Sequence, residues 1–320
     1  MTPEFNLIKQ YFTRPTRNTT LGVGDDAALI NIKKSMELAI SADMLVAGTH
    51  FFADCDAYQL GWKSLAVNIS DMAAMGANPK WATLAIALPE VNNAWLAEFS
   101  GGFFACADAF NVDLIGGDTT RGPLTISVQI MGEVPIGKAI KRSGAKVGDE
   151  IWVSGKLGDA ALALQHMQGK LTLPKDMLTS CAKALHAPQP RVALGLALRD
   201  LAHSAIDISD GLLADLRHIL AQSNVGAVVE LTRVPHSAYA EFTTNLHDEN
   251  YRKMVLAGGD DYELCFTAPL EKHTEIERLS ERIKLPLACI GHVNACHGLI
   301  VHGLNNEVLN IKDTGFDHFS

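Results

Sequence analysis

Several features are scarce in this 320-residue chain, and each scarcity excludes something. No apolar run reaches the roughly twenty residues needed to cross a bilayer, so no membrane partner is expected. Aromatic residues make up 7%, too few for a surface on which successive bases stack. No basic run occurs and the net charge is −9, a poor balance for binding nucleic acid or any general polyanion. Phosphates, if bound, then call for metal ions as the bridge. The six cysteines at 55, 106, 181, 265, 289 and 296 form no CxxC. Met1 to Thr20 is polar and mixed, without a secretory leader, so reduced thiols in a cytoplasm are expected. No G-x-S-x-G elbow is present, which leaves nucleophilic catalysis without support.

What is present is a normal globular composition, 48% hydrophobic and 20% charged, at a length that favours two domains. The periodicity predicts helices over 58–76, 95–110, 159–168, 177–186, 191–202, 212–222 and 270–283, with short ones at 5–12 and 251–257. Strands are expected at 38–41, 81–88, 112–115, 124–134, 150–154, 205–208, 226–231, 262–266 and 286–290, with a closing hairpin of 299–302 and 307–311. Helices and strands alternate throughout, which points to layered α/β (α+β) domains. The Gly-, Lys- and Arg-rich segment 135–149 reads as the linker, giving an N-terminal domain 1–137 and a C-terminal domain 138–320.

The chemistry concentrates in recurring acidic stretches. Gly22-Val-Gly-Asp-Asp-Ala-Ala28 sets two carboxylates, Asp25 and Asp26, in a glycine-loosened turn before the apolar run 27–30. Ser41-Ala-Asp43, Asp71, Gly116-Gly-Asp-Thr119, Asp207-Ile-Ser-Asp-Gly211 and Gly258-Gly-Asp-Asp261 follow. Any one could be an ordinary turn or helix cap. Asp207 interrupts an apolar strand, where a charge is costly unless paired or metal-bound. Ser64, Asn68 and Asp71 form a polar stripe at i, i+4, i+7 beside the apolar face of Leu65, Ile69, Met72 and Gly76. A solvated face usually carries more charge than this one, so the stripe leans towards a polar site. Asp25, Asp26, Asp43, Asp71, Asp118, Asp207 and Asp210 have no matching set of cations. Several Mg²⁺ ions are the simplest neutralisation, since oxygen ligands plus phosphates are the Mg²⁺ pattern. His50 lies close to these clusters and could bind a phosphate. Arg121 and Arg142 are each equally readable as a phosphate clamp or a surface arginine.

Two tempting motifs fail. Gly132-Glu-Val-Pro-Ile-Gly137-Lys138-Ala139 fits G-x-x-x-x-G-K, but Ala139 stands where a P-loop needs Ser or Thr, and no helix pattern follows. Cys289, His292, Cys296, His297 and His302 crowd the C-terminal region at spacings that match no zinc site. The residues alone thus describe a two-domain, Mg²⁺-dependent protein acting on phosphates, where positioning and charge neutralisation suffice for phosphoryl transfer.

These stretches, taken together and in order, resemble the thiamine-monophosphate kinase family, of the superfamily of aminoimidazole ribonucleotide synthetase. The resemblance runs essentially end to end. It is carried by Gly22 to Ala28, Ser41 to His50, and Ala66-Val-Asn-Ile-Ser-Asp-Met-Ala-Ala-Met-Gly76. It continues through Ile115 to Gly122, Arg142-Ser-Gly-Ala145, Ala205 to Gly211, Gly258-Gly-Asp-Asp-Tyr-Glu-Leu264 and Gly315-Phe-Asp-His318. It implies a two-domain aminoimidazole ribonucleotide synthetase-like fold and ATP-dependent phosphorylation of thiamine monophosphate to thiamine diphosphate. It also implies a homodimer whose N-terminal sheets pair. The family's magnesium positions fall on Asp26, Ser41, Asp43, Asp71, Asp118, Asp207 and Asp210, and Asp26, Asp43, Asp71, Asp118 and Asp210 carry the catalytic expectation. ATP contacts fall on Gly117, Asp118, Arg142 and Ser209, and substrate contacts on His50, Asp260 and Phe316. The substrate's own phosphate is the implied nucleophile, so no strong base is required.

Three positions depart from the family pattern. Ala42 replaces a common hydroxyl residue, Asp260 a common Glu, and Phe316 a larger or hydroxylated aromatic. The rival readings are another ATP-using synthetase of the superfamily and a non-catalytic nucleotide or thiamine-phosphate binding protein. A selenophosphate enzyme needs an early reactive cysteine, and none precedes Cys55. A hydrogenase-maturation relative needs a terminal one, and the chain ends Asp317-His-Phe-Ser320.

Overall fold

Asp56 accepts the Gln59 amide at 2.8 Å and so caps the first long helix, α2 (Ala57–Ala74); the short α1 (Pro3–Leu7) precedes it. The computed structural model describes residues 3–237, 246, 248–311 and 315. It has two compact units, Met1–Met72 with Ala77–Lys138, and Ala73–Gly76 with Ala139–Ser320.

In the first unit, Leu65, Ile69 and Met72 of α2 are fully buried, as their spacing requires. The second helix, α3 (Asn93–Phe110), starts at the Asn92 cap and stops at Asn111 in the left-handed region, φ 56. Gly101-Gly102 does not break it. A Cβ on Gly102 would lie 1.8 Å from the Tyr58 carbonyl oxygen, and one on Gly61 2.0 Å from that of Phe99. The glycines are the notches through which α2 and α3 touch backbone to backbone.

Four strands accompany these helices: β1 (Met36–Val46), β2 (Asn78–Leu88), β3 (Asp113–Arg121) and β4 (Thr125–Pro135), in the order β1-β4-β2-β3. Only the β2–β3 pair is parallel. The sequence pattern places Gly116 to Arg121 in a turn, whereas the structure carries β3 through to Arg121. Its pairing with β2, Thr83 to Leu88, supplies the partners that a glycine-rich stretch cannot advertise by itself. The polar segment before the sheet is tied down by Asp113, which accepts the amides of Arg17 at 3.0 Å and Asn18 at 2.5 Å and the Thr19 hydroxyl at 2.9 Å.

The second unit holds a six-stranded sheet, order β10-β7-β9-β5-β8-β6. Its strands are β5 (Glu150–Ser154), β6 (Ser204–Asp207), β7 (Gly226–Glu230), β8 (Leu264–Ala268), β9 (Leu287–Asn294) and β10 (Gly298–His302). Alternation along β5 shows why both faces are covered. Ile151 and Val153 enter one apolar cluster with Leu212, Leu216 and Ile290, while Trp152 enters another with Phe266, Leu198 and Ile276. The covering helices are α4 (Asp159–Met167), α5 (Lys175–His186), α6 (Val192–Leu198), α7 (Leu212–Ser223), α8 (Glu249–Ala257) and α9 (His273–Ile283). Of the expected final hairpin the structure keeps one bridge, His302 to Val308, with the Leu309 amide donating to the Val301 carbonyl at 2.9 Å, on the edge of β10 that β7 leaves open.

Segment 139–149 has no helix or strand, yet it is not slack. The Ala205 amide donates to the Lys141 carbonyl at 3.1 Å, and the Ser223 hydroxyl accepts the Gly144 and Ala145 amides at 3.1 Å each. Among the described residues no helix is long and apolar enough to cross a membrane.

Candidate functional site

In the N-terminal unit the chemistry gathers where β1 passes α2. Ser41 and Asp43 share one face of β1 because side chains alternate along a strand. The Ser41 hydroxyl donates to Asp71 Oδ2. Two residues on, the Asp43 amide donates to Asn68 Oδ1 at 3.1 Å. The polar stripe of α2 therefore faces β1. Ser64 and Asn68 are buried, and the Asn68 amide nitrogen is fixed by the Ser64 carbonyl at 3.0 Å. Asp71 stays half-buried at the end of the stripe.

His50 closes the turn after β1. Its Nδ1 accepts the Val46 amide at 3.0 Å, which fixes the tautomer with the proton on Nε2. Asp25 and Asp26 are exposed at the tip of a loop that the Leu21–Leu29 bridge closes. Behind the tip, Ala28 and Ile30 pack against Trp81, Ile115 and Met131. Gly117 and Asp118 are exposed on β3, opposite Leu84 and Ala85. Lys138, of the rejected P-loop match, follows β4, and its amide donates back to the Pro135 carbonyl at 2.9 Å. Gly132 of the same match lies inside β4.

Register decides which of these acids meet. Asp43 lies opposite Val128, Val128 opposite Leu84, and Leu84 opposite Gly117. Asp43 and the Gly117–Asp118 pair therefore occupy the two outer strands of one sheet, about 14 Å apart at three strand spacings. Among the described residues no group of three or more His, Cys, Asp and Glu stands close enough to hold a metal alone. The Ser41, Asp43 and Asp71 oxygens still suit Mg²⁺, which binds through one or two carboxylates and takes its remaining ligands from water and substrate phosphate.

In the C-terminal unit two loops form one platform. Asp207 ends β6 and is buried; Ser209 and Asp210 follow, half-buried. The Asp260 amide donates to the Ser209 carbonyl and the Tyr262 amide to the Ile208 carbonyl, both at 2.8 Å. Asp260 and Tyr262 both sit in the left-handed region, φ 67 and 50, and the Tyr262 hydroxyl donates to Asp260 Oδ1 at 3.2 Å. Such backbone in non-glycine residues is held only where its surroundings over-determine it. Arg142 is exposed on the pinned 139–149 segment. Gly315 presses on the same platform, since a Cβ there would lie 2.4 Å from Ala214 Cβ and 2.8 Å from the Asp210 carbonyl oxygen. Phe316, the expected substrate contact next to it, lies outside the described residues.

Two buried acids beneath the platform, Glu263 and Asp215, escaped the sequence reading, and Asp261 of the Gly258–Asp261 stretch lies with them. Glu263 is paired by Arg191, Nε to Oε2 at 2.6 Å and Nη2 to Oε1, and accepts the Ser154 hydroxyl at 2.5 Å. Asp261 accepts the Gly158 amide at 3.0 Å. Loss of solvent around its carboxyl pushes its pKa well above the usual range, with Glu263, Asp159 and Asp260 adding to the effect. Asp215 Oδ2 accepts the amides of Ser209, Asp210 and Gly211 at 3.0, 3.1 and 3.2 Å. Burial, then the charge of Asp210, raises its pKa to about 7 against the pull of those amides. A signal for Asp215 existed: it falls at helical spacing on the apolar stripe of Leu212, Leu216 and Ile219, where an acid must have partners. Glu263 likewise interrupts the apolar approach to β8.

Residues 24–134 match the family described as AIR synthase related protein, N-terminal domain, and residues 146–303 match its C-terminal domain. The thiamine-monophosphate kinase of Escherichia coli is 44% identical over 322 residues, spanning 99% of this chain and 98% of that protein. A crystal structure of thiamine-monophosphate kinase from Stenotrophomonas maltophilia superposes with a TM-score of 0.84 at 47% identity, covering 93% of this chain and 95% of that one. The structure of AaThiL complexed with AMPPCP and TMP superposes with a TM-score of 0.78 at 27% identity, covering 98% and 96%.

Proposed function

The chain belongs to the AIR synthase related family and, within it, to the thiamine-monophosphate kinases, and from that premise we propose that it phosphorylates thiamine monophosphate with ATP, giving thiamine diphosphate and ADP. The observation that carries this reading is the 44% identity spread over 99% of the chain. A match of that extent spans both units.

The proposed mechanism needs positioning and charge neutralisation. Bound Mg²⁺ would neutralise charge on the phosphoryl group being transferred, which is most of what such a reaction asks of its catalyst. Ser41, Asp43 and Asp71 would hold it, with Asp26, Asp118, Asp207 and Asp210 completing the acidic set. The Ser41–Asp71 bond holds two of these side chains in advance, and Asn68 holds the Asp43 backbone, so little reorganisation accompanies binding. Gly117, Asp118, Arg142 and Ser209 would hold the nucleotide, and His50, Asp260 and Phe316 the substrate. The nucleophile is an oxygen of the substrate phosphate, already deprotonated at neutral pH, so no side chain has to remove a proton first. The departures at Ala42, Asp260 and Phe316 shift affinity rather than reaction type.

The reading includes a homodimer built through the N-terminal sheet. Ile40 and Met44 are each 56% exposed on the face of β1 turned away from Ser41 and Asp43, an apolar patch that asks for cover. Both outer strands of this sheet, β1 and β3, pair on one side only among the described residues. A second copy bringing its β3 beside β1 would carry the acid of the far edge to Asp43. Equilibrium sedimentation tests this: a dimer is expected, and Met44→Glu should shift it towards monomer.

The deciding experiment for the reaction is ADP release from ATP and Mg²⁺ with and without thiamine monophosphate, with the product identified by mass. Substrate-dependent ADP with equimolar thiamine diphosphate is expected. Tight binding of both ligands without turnover would replace the kinase with a binding protein. No binding of thiamine monophosphate would point to another substrate of the superfamily. In either form of failure the thiamine-monophosphate kinase reading is lost.

A further inference from the structure

We infer that Asp215 is a positioning residue that consumes the three loop amides just before α7, so that Ser209 and Asp210 reach a magnesium-bound nucleotide through their side chains, the Ser209 hydroxyl and the Asp210 carboxylate, and not through their amides. The amides that open a helix are a ready-made phosphate site. Here the amides of Ser209, Asp210 and Gly211 all converge on Asp215 Oδ2, at 3.0, 3.1 and 3.2 Å. Asp215 is 3% exposed, so its carboxylate fills the place a phosphate would take and does so from inside the protein. The carbonyl side of the same loop is also occupied, Ile208 by the Tyr262 amide and Ser209 by the Asp260 amide, each at 2.8 Å. With the Ser209, Asp210 and Gly211 amides and the Ile208 and Ser209 carbonyls committed, these residues meet a ligand through their side chains, and those of Ser209 and Asp210 are half-open. The loop thus differs in kind from a phosphate-cradling P-loop, in which the amides themselves hold the anion.

The inference deepens the kinase reading and rests on it for the identity of the ligand, so its test includes a measurement that needs no turnover. Hydrogen exchange of the Ser209, Asp210 and Gly211 amides should be slow in the wild-type chain and about a hundredfold faster in Asp215→Ala, with the later amides of α7 unchanged. Asp215→Asn keeps an oxygen acceptor and should restore most of the protection. AMPPCP binding in Mg²⁺, by calorimetry, should weaken about tenfold in Asp215→Ala and recover in Asp215→Asn. The KM for thiamine monophosphate should stay within about twofold. Ser209→Ala, which keeps all three amide bonds, should weaken AMPPCP by a similar factor, and it decides the matter if Asp215→Ala fails to fold. Unchanged exchange in Asp215→Ala overturns the inference. So does AMPPCP affinity in Ser209→Ala equal to wild type, or a fall of all constants in proportion to the folded fraction. A wild-type chain without turnover would sink the kinase reading alone, because the exchange rates still decide the role of Asp215.

Discussion

The acids of the N-terminal candidate site and those beneath the C-terminal platform are satisfied in opposite ways. In the N-terminal unit Asp25, Asp26 and Asp118 are exposed, on a loop tip and an outer strand, and Asp71 is half-buried beside the Ser41 hydroxyl. In the C-terminal unit Asp215 takes three amides and Glu263 takes an arginine and a serine, both at the bottom of a packed platform. A buried carboxylate has to find its partners inside the protein, whereas an open one keeps its oxygens for something that arrives. The buried acids therefore shape the loops, and the open ones meet the ligand.

The strongest way to break this contrast is Arg191→Ala. It leaves the Glu263 carboxylate uncompensated, and denaturant unfolding should show a loss of about 3–5 kcal/mol. A loss below about 1 kcal/mol would show that Glu263 is not a structural acid. Asp71→Asn tests the other side. ADP release should fall at least about a hundredfold with the melting temperature nearly unchanged, and wild-type turnover would remove Asp71 from the metal set.

A smaller effect sharpens the contrast by adding pH. His273 Nδ1 lies 2.8 Å from Glu150, and that hydrogen bond raises the imidazole above its ordinary 6.5. The folded state therefore holds the proton more tightly than the unfolded one. The pair's stabilisation is complete below the unfolded value and disappears as pH rises through the raised folded value. His273→Gln should lower the melting temperature by about one or two degrees in acid, near pH 5.5, and by nothing near pH 9. A difference that grows with pH would reverse the assignment. The smallest effect belongs to Lys138→Ala, where the KM for ATP should change by less than about twofold. A collapse of ATP affinity there would make the glycine–lysine match a phosphate loop after all.

Much of the candidate site was legible in the chain because its logic is local. The stripe of Ser64, Asn68 and Asp71 follows from helical spacing alone, and the lack of charge around it pointed to a polar site, but that it faces β1 came only from the structure. Asp207 was readable because it ends an apolar run, and it does end β6; Asp43 was read as lying just past a strand of 38–41, whereas it sits inside β1, whose pairing with β4 runs on to Val46. Less legible was β3, whose glycine-rich half is a strand only because β2 lies beside it. Glu263 and Arg191 are 72 residues apart, and no spacing rule links them. Asp215 could have been found, since an acid on an apolar stripe is a warning, but its three amide partners belong to the loop geometry and not to the stripe.

By itself the sequence determined the alternation of helices and strands, the family, and the chemical character of the ligands. These depend on residue type and short-range period, which survive without any knowledge of contacts. Only the tertiary structure decided which acids anchor and which stay open, that the amides before α7 are already taken, and that Asp43 and Asp118 stand on opposite edges of one sheet. The reason is physical. A hydrogen bond or a register fixes two distant segments at once, and neither segment alone carries the distance between them.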